Sequence, residues 1–209
     1  MKTLVFASNN AHKLEEIRAI LGSQYEIKSL KDIGCDADIP ETGATFRENA
    51  MQKARYVKEH YGLDCFADDS GLQVEALGGE PGVYSARYAE RNGHRLDGNK
   101  DNANMDVLLE KLSAVPAQPI EGNPHGEKGW KACFRTSIAL LYQQEEYYFD
   151  GTVEGHIISE KRGNEGFGYD PLFIPEGYSE TFAQLANGMK NSISHRARAV
   201  AKLVEFLNK

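Results

Sequence analysis

The chain opens on a short apolar run, "TLVFAS", that predicts a buried strand. Behind it, "NNAHKLEEIRAILG" carries Leu14, Ile17 and Leu21 at helical spacing, with Asn9 or Asn10 placed to cap the start and Gly22 to stop it. "YEIKSL" predicts a second strand. "ATFRENAMQKARYVKEHYG" predicts a second amphipathic helix, with Phe46, Ala50, Ala54, Val57 and Tyr61 on one face, and "LDCFADDS" predicts a third strand. Strand-helix-strand-helix-strand over this first third of the chain predicts an α/β fold around a sheet.

The character then changes. "NKDNANMDVLLEKLSAV" predicts a helix with Met105, Leu108 and Leu112 in register. "VPAQPIEGNPHGEKGW" is rich in proline and glycine and reads as a loop or lobe connection. "KACFRTSIALLYQ" and "EEYYFDGTVEGHII" read as two long strands of an antiparallel hairpin, turning near Gln143 to Glu145. "SHRARAVAKLVEFLNK" reads as a helix capped by Ser194. No internal repeat or low-complexity tract interrupts the chain. The sum is a mixed sheet with flanking helices in one lobed domain spanning residues 1–209.

Composition narrows the function classes. At 209 residues, with 41% hydrophobic and 26% charged positions, the chain has the profile of an ordinary globular protein with a sizeable core. A formal charge of −7 argues against a basic surface that wraps nucleic acid, although a local cluster of lysine and arginine can still hold an anionic ligand. Cys35, Cys65 and Cys133 are widely spaced and odd in number, which points to reduced thiols in a cytoplasmic protein rather than a disulfide framework or zinc site. The apolar run at the start is too short for a signal peptide or a membrane span.

Five stretches hold polar residues that packing does not need. "SNNAHK" puts Ser8, Asn9 and Asn10 beside a helix N-terminus with Lys13 one turn along, either a phosphate seat or an ordinary cap with a solvated lysine. "ETGATFRENAMQK" places Glu41 and Thr42 before a helix that carries Glu48, Asn49 and Lys53. Lys53 falls at the edge of the apolar face, to snorkel or to point into a cleft. "DDSGL" sets Asp68 and Asp69 together at the end of the expected third strand, where like charges raise one another's pKa unless something compensates. Successive strand side chains face opposite ways, so the two aspartates should do different jobs. A magnesium ion would be the simplest compensation, and a simple aspartate turn is the alternative.

"GNEGFGYDPLF" has the glycines for a tight loop but not the spacing of a dinucleotide fingerprint. Its Phe167 and Tyr169 form either a stacking wall for a base or a pair of core aromatics. "KNSISHR" puts His195 and Arg196 in the first turn of the last helix, where cations oppose the helix dipole. An anionic or carbonyl-bearing ligand would offset that local cost, and a surface histidine is the alternative.

In order and content together, "SNNAHK", "ETGATFRENAMQKA", "FADDSGLQVEALGGEPGVYSARYA", "GFGYDPLF" and "KNSISHRARA" resemble the inosine triphosphate pyrophosphatase family, from residue 4 to about 200. The resemblance implies an elongated mixed sheet with flanking helices, two lobes around a central active-site cleft, and a cytoplasmic homodimer. It implies magnesium-dependent hydrolysis of ITP, dITP and XTP to the monophosphate and pyrophosphate. Ser8, Asn9, Asn10 and Lys13 match the phosphate-binding turn and Lys53 a further phosphate contact. Asp69 matches the catalytic, metal-binding acid that helps activate water, and Glu41 the other metal-associated carboxylate. Asp68 would support the water or metal indirectly and Ser70 would contact substrate. Phe167, Gly168, Tyr169, Asp170, Lys190, His195 and Arg196 match the nucleotide-binding residues. A guanidinium only donates, so Arg196 is the expected reader of the purine O6, with His195 as a second candidate. The stretch "VPAQPIEGNPHGEKGWKA" is longer than the family's usual connection.

Two other functions compete. A purine-nucleotide-binding module that does not hydrolyse would have no need of the paired aspartates. A single-stranded nucleic-acid binder would want basic residues interleaved with its aromatics, which this chain lacks.

Overall fold

The structure is a computed structural model that describes residues 2–21, 24–94 and 98–209; the expected helix stop at Gly22 lies outside them. The elements in chain order are β1 (Lys2–Phe6), α1 (Ala11–Leu21), β2 (Tyr25–Lys28), α2 (Phe46–Tyr61), β3 (Cys65–Val74), α3 (Tyr88–Arg91), α4 (Lys100–Leu112), β4 (Gln118–Pro119), β5 (Lys128–Tyr142), β6 (Glu145–Ile157), β7 (Phe173–Pro175), α5 (Asn187–Ile193) and α6 (His195–Leu207). The seven-stranded sheet has the order β2-β1-β3-β5-β6-β7, with β4 pairing to β5. It is mixed: β1 pairs parallel with β2 and β3, while β4–β5 and β6–β7 are antiparallel. Helices flank it, as the sequence predicts.

The chain divides into two compact units. The first comprises Met1–Ser70, Thr136–Thr152 and Asn191–Lys209, and the second Gly71–Arg135 and Val153–Lys190. In the first unit the period-two alternation of the strands sorts side chains onto two faces. Leu4 and Phe6 of β1, Phe66 of β3, and Ile138 and Leu140 of β5 pack with Ile17 and Leu21 of α1 and with Val200 and Leu203 of α6. Val5 and Ala7, Cys65 and Ala67, and Ala139 and Leu141 alternate with them and pack against Met51, Ala54 and Val57 of α2. Every one of these residues is buried, so the two faces of the sheet carry two separate cores.

Local chemistry fixes the helices of this unit. Thr45 caps α2 in a capping box with Glu48, and Gly62 closes it in the left-handed conformation (φ 68°) that favours glycine. Ser194 caps α6 by accepting the Ala197 N–H at 3.1 Å, as the sequence predicts. β5 and β6 meet at a two-residue turn whose residues both have positive φ, Gln143 at 51° and Gln144 at 71°. This is the mirror-image turn that suits the twist of a hairpin.

In the second unit Phe134, Phe173 and Phe182 form an aromatic cluster with ring centroids 4.7–6.0 Å apart. Ile120, Ile158 and Ile174 make a further buried patch. α4 docks through Asn104, which accepts the Ala89 N–H at 2.8 Å. Two expectations are corrected here. The stretch from Val115 to Trp130 is not all loop: it holds β4 and the first residues of β5, and Trp130 anchors it by donating to the Val115 carbonyl at 2.9 Å. The third strand does not end at the aspartates but continues to Val74, because "SGLQV" is held in extended conformation.

Candidate active site

Since β3 runs through Asp68 and Asp69, strand parity decides where each points. Asp68 follows Phe66 toward the α1 and α6 face. Asp69 follows Cys65 and Ala67 toward α2. The hydrogen bonds agree. Asp68 Oδ1 accepts Lys13 Nζ of α1 at 3.1 Å, and Oδ2 accepts Arg196 Nε of α6 and Ser70 Oγ, each at 3.1 Å. Asp69 Oδ2 accepts Asn49 Nδ2 of α2 at 2.9 Å, and Oδ1 accepts the Ser70 N–H at 3.0 Å. Two neighbours in sequence thus stand in two different environments.

Those environments pull their pKa values apart. Burial by itself raises the Asp68 carboxyl, but Lys13, Arg196 and Lys53 outweigh it and hold Asp68 well below the usual carboxylate range. Burial also raises Asp69, and there Lys53, Lys13 and the Asn49 hydrogen bond do not reverse it, while the nearby Glu41 carboxylate adds to it. A carboxylate raised toward neutrality is the better proton acceptor, whereas one pinned by cations is a fixed counter-charge.

Lys53 does not snorkel. It is 6% exposed and donates to Glu41 Oε1 at 2.9 Å and to the Asp68 carbonyl at 2.7 Å, tying the loop before α2 to the aspartate strand. At the start of α1, Asn10 rather than Asn9 serves as the cap, its Oδ1 accepting the Lys13 N–H at 3.1 Å. Ser8 Oγ accepts the Asn10 N–H at 3.2 Å, and the Asn9 side chain donates to the Ala37 carbonyl at 3.3 Å. The turn therefore presents a helix N-terminus, which favours an anion, next to the Lys13 ammonium.

Arg196 is 1% exposed, and within the protein its charge at a helix N-terminus is met by two carboxylates, Asp68 and Glu16. Its Nε faces Asp68, Nη2 donates to Ser70 Oγ at 2.9 Å, and Nη1 pairs with Glu16 of α1. His195 beside it is buried at the first position of α6.

The remaining candidates lie in the second unit. Asp170 Oδ2 accepts the Phe167 N–H at 3.0 Å and Lys190 Nζ at 2.6 Å, with both charged side chains 4% exposed. Lys190 Nζ also sits 4.8 Å from the centre of the Phe167 ring. The Gly168 N–H donates to Asp101 at 2.8 Å. Tyr169 is a core aromatic, 3% exposed, with its hydroxyl on the Ser85 carbonyl at 2.8 Å; of the two aromatics in the loop, only Phe167 keeps a partly exposed ring.

Among the described residues, no three His, Cys, Asp or Glu side chains come together as a ready-made metal cage. The donors at hand are Glu41 and Asp69, two hard carboxylates close enough for one to raise the other's pKa. That set fits magnesium, which takes one or two carboxylates and fills its remaining positions with water and substrate phosphate.

Two members of this network have no role in the sequence reading: Asn49, which lies in the second polar stretch without an assigned function, and Glu16, which lies in none of the stretches. Asn49 is fully buried, and with Lys53 it forms an i, i+4 polar pair on the inward side of α2, a signal that could have marked it. Glu16 had no such signal, because its partner lies at the other end of the chain.

The Ham1 family pattern matches residues 4–206. The chain is 52% identical to a dITP/XTP pyrophosphatase of Porphyromonas gingivalis, over 99% of this chain and 98% of that one. It is 47% identical to a dITP/XTP pyrophosphatase of Flavobacterium psychrophilum, over 97% of each. The solved structure of the Ham1 protein of Staphylococcus aureus superposes with a TM-score of 0.79 at 38% identity, covering 99% of this chain and 98% of that one. A HAM1 protein from Coxiella burnetii superposes at 0.82 and 35% identity, covering 100% and 99%. Matched end to end at this level in sequence and in fold, the chain belongs to the Ham1 family.

Proposed function

We propose that this chain hydrolyses the triphosphates of non-standard purine nucleosides (ITP, dITP and XTP) to the nucleoside monophosphate and pyrophosphate. The observation that carries the reading is the split environment of Asp68 and Asp69, found in a chain that matches dITP/XTP pyrophosphatases along its whole length. Asp69, with its raised pKa, is the acceptor for the proton of the attacking water. Asp68 is the counter-charge that keeps Lys13 and Arg196 in place. Lys13, Lys53 and the N–H groups of the Ser8–Asn10 turn hold the phosphate chain, and the Ser70 hydroxyl contacts it.

Glu41 and Asp69 would hold magnesium, which when bound withdraws charge from the phosphate oxygens and screens them. In the second unit, Phe167 offers the stacking face for a purine, and Gly168, Tyr169, Asp170 and Lys190 shape that loop. His195 and Arg196 complete the set of nucleotide contacts. The same reading has the chain act as one two-lobed catalytic domain, as a homodimer in the cytoplasm. No helix among the described residues is long and apolar enough to cross a membrane.

The test is product identification. Incubation with dITP and magnesium should yield dIMP and pyrophosphate. Orthophosphate with dIDP, or nucleotide bound but intact, contradicts the proposal, and the second outcome would favour a binding module.

A further inference from the structure

The fully buried side chain of Asn49 has a demanding neighbourhood. On one side the Gly43 N–H, which can only donate, reaches its Oδ1 at 2.7 Å. On the other lies Asp69 Oδ2, an acceptor, 2.9 Å from its Nδ2. One end of the side chain must accept and the other must donate, and the spacing is that of a single amide. Leucine would leave both partners unpaired inside the protein, and aspartate would set oxygen against oxygen. A flipped amide would fail at both contacts, so the orientation is dictated by chemistry.

Gly43 makes the contact possible. A Cβ there would stand 2.5 Å from Glu48 Cβ and 2.9 Å from Asn49 Oδ1, so only glycine lets the loop lie this close to the first turn of α2. That loop carries Glu41 two residues earlier. One amide therefore clamps both carriers of the acidic pair, the loop through Gly43 and the strand through Asp69. With the Ser70 N–H on Oδ1, it leaves the Asp69 carboxylate held from both oxygens in one rotation.

The geometry points to Asn49 as a positioning residue for the hydrolysis: it fixes the orientation of Asp69 and the approach of the Glu41 loop, and touches no reacting atom. The inference rests on the pyrophosphatase reading proposed above. Groups that orient a metal-associated carboxylate typically contribute about 10–100-fold in activity or metal affinity.

The test uses Asn49→Ala and Asn49→Asp in the full-length protein, each checked for a native near-ultraviolet spectrum and a cooperative melt. Asn49→Asp keeps the volume and the acceptor for Gly43 but sets a carboxylate oxygen against Asp69 in place of the donor, so it breaks that contact without a cavity and serves if the alanine variant does not fold. Both should lower kcat for dITP about 10–100-fold with KM within about threefold. Asn49→Ala should also weaken Mn2+ binding, read by electron paramagnetic resonance without nucleotide, by a similar factor. A purely structural asparagine would lower the melting temperature and leave both readouts near parental values, and that result in a folded variant overturns the inference. A parent that makes no pyrophosphate would contradict the proposed function instead. The Mn2+ comparison would then still decide the role of Asn49, and a parent that binds no Mn2+ counts against it.

Discussion

Arg196 Nε lies 3.1 Å from Asp68 Oδ2, and both side chains are at most 2% exposed. The pair closes β3 onto the N-terminus of α6 across 128 positions of sequence. Neither charge can reach water if the other is removed. Truncating one partner of a buried pair costs about 3–5 kcal/mol where the survivor is left uncompensated; here Asp68 keeps Lys13 and Arg196 keeps Glu16, which places the cost at the low end of that range.

Arg196→Ala should therefore destabilise the protein by about that amount. Asp68→Ala/Arg196→Ala should cost less than the sum of the two single variants, since each single variant already loses the Asp68–Arg196 contact that the double variant loses once. Guanidinium denaturation of the four proteins measures this. Additive single and double variants would mean that the pair is not coupled.

Gly151 of β6 packs against the first turn of α6. A Cβ on it would land against the His195 carbonyl oxygen and 2.6 Å from the Ala199 backbone nitrogen, both main-chain atoms that cannot rotate away. Gly151→Ala should push out the helix that carries His195 and Arg196, costing about 1–3 kcal/mol and reducing turnover with it. A denaturation midpoint and a kcat equal to those of the parent would show that the strand and helix can separate freely.

Cys65 is fully buried and its thiol donates to the Ala54 carbonyl at 3.1 Å, and burial pushes its pKa up to about 12. With the folded pKa above the unfolded one, the thiol favours the folded state fully at pH values below its unfolded pKa, roughly 8.5, and that contribution is lost as pH rises toward about 12. Iodoacetamide at pH 9 should leave Cys65 unmodified in the native protein and label it after unfolding, as read by peptide mapping. The stability advantage of the parent over Cys65→Ala should shrink between pH 9 and 12. Native-state labelling of Cys65 at the unfolded rate would place the thiol elsewhere.

Much of this architecture is legible in the sequence, for local reasons. The strands β1 and β2 and the helices α1, α2 and α6 are bounded by apolar runs and capping residues that act within a few positions. The Ser194 cap of α6 is one of these, and the Gln143–Gln144 turn between β5 and β6 is local in the same way. The end of β3 misled because "DSG" has turn composition, whereas here Ser70 turns its hydroxyl back onto Asp68 and the strand continues past Gly71. The five polar stretches stand out because packing does not require them, but their pairings are tertiary. Asn49 finds Asp69 twenty residues on, and Glu16 finds Arg196 180 residues on. Nothing in a linear pattern encodes those distances. Nor could the pattern show that Lys53 turns inward from the edge of its helix, since that depends on Glu41 and the Asp68 carbonyl being there to receive it.

The central claim is that two adjacent aspartates, turned to opposite faces of one strand, have separate duties, with the chemistry resting on Asp69. Asp69→Asn tests it most directly. The amide is nearly isosteric, and Asp68 keeps its cations, so the fold should survive. Pyrophosphate release from dITP with saturating magnesium, followed by 31P nuclear magnetic resonance, should fall at least about 100-fold, the scale of a lost general base. A correctly folded Asp69→Asn protein that releases pyrophosphate at close to the parental rate would contradict the account.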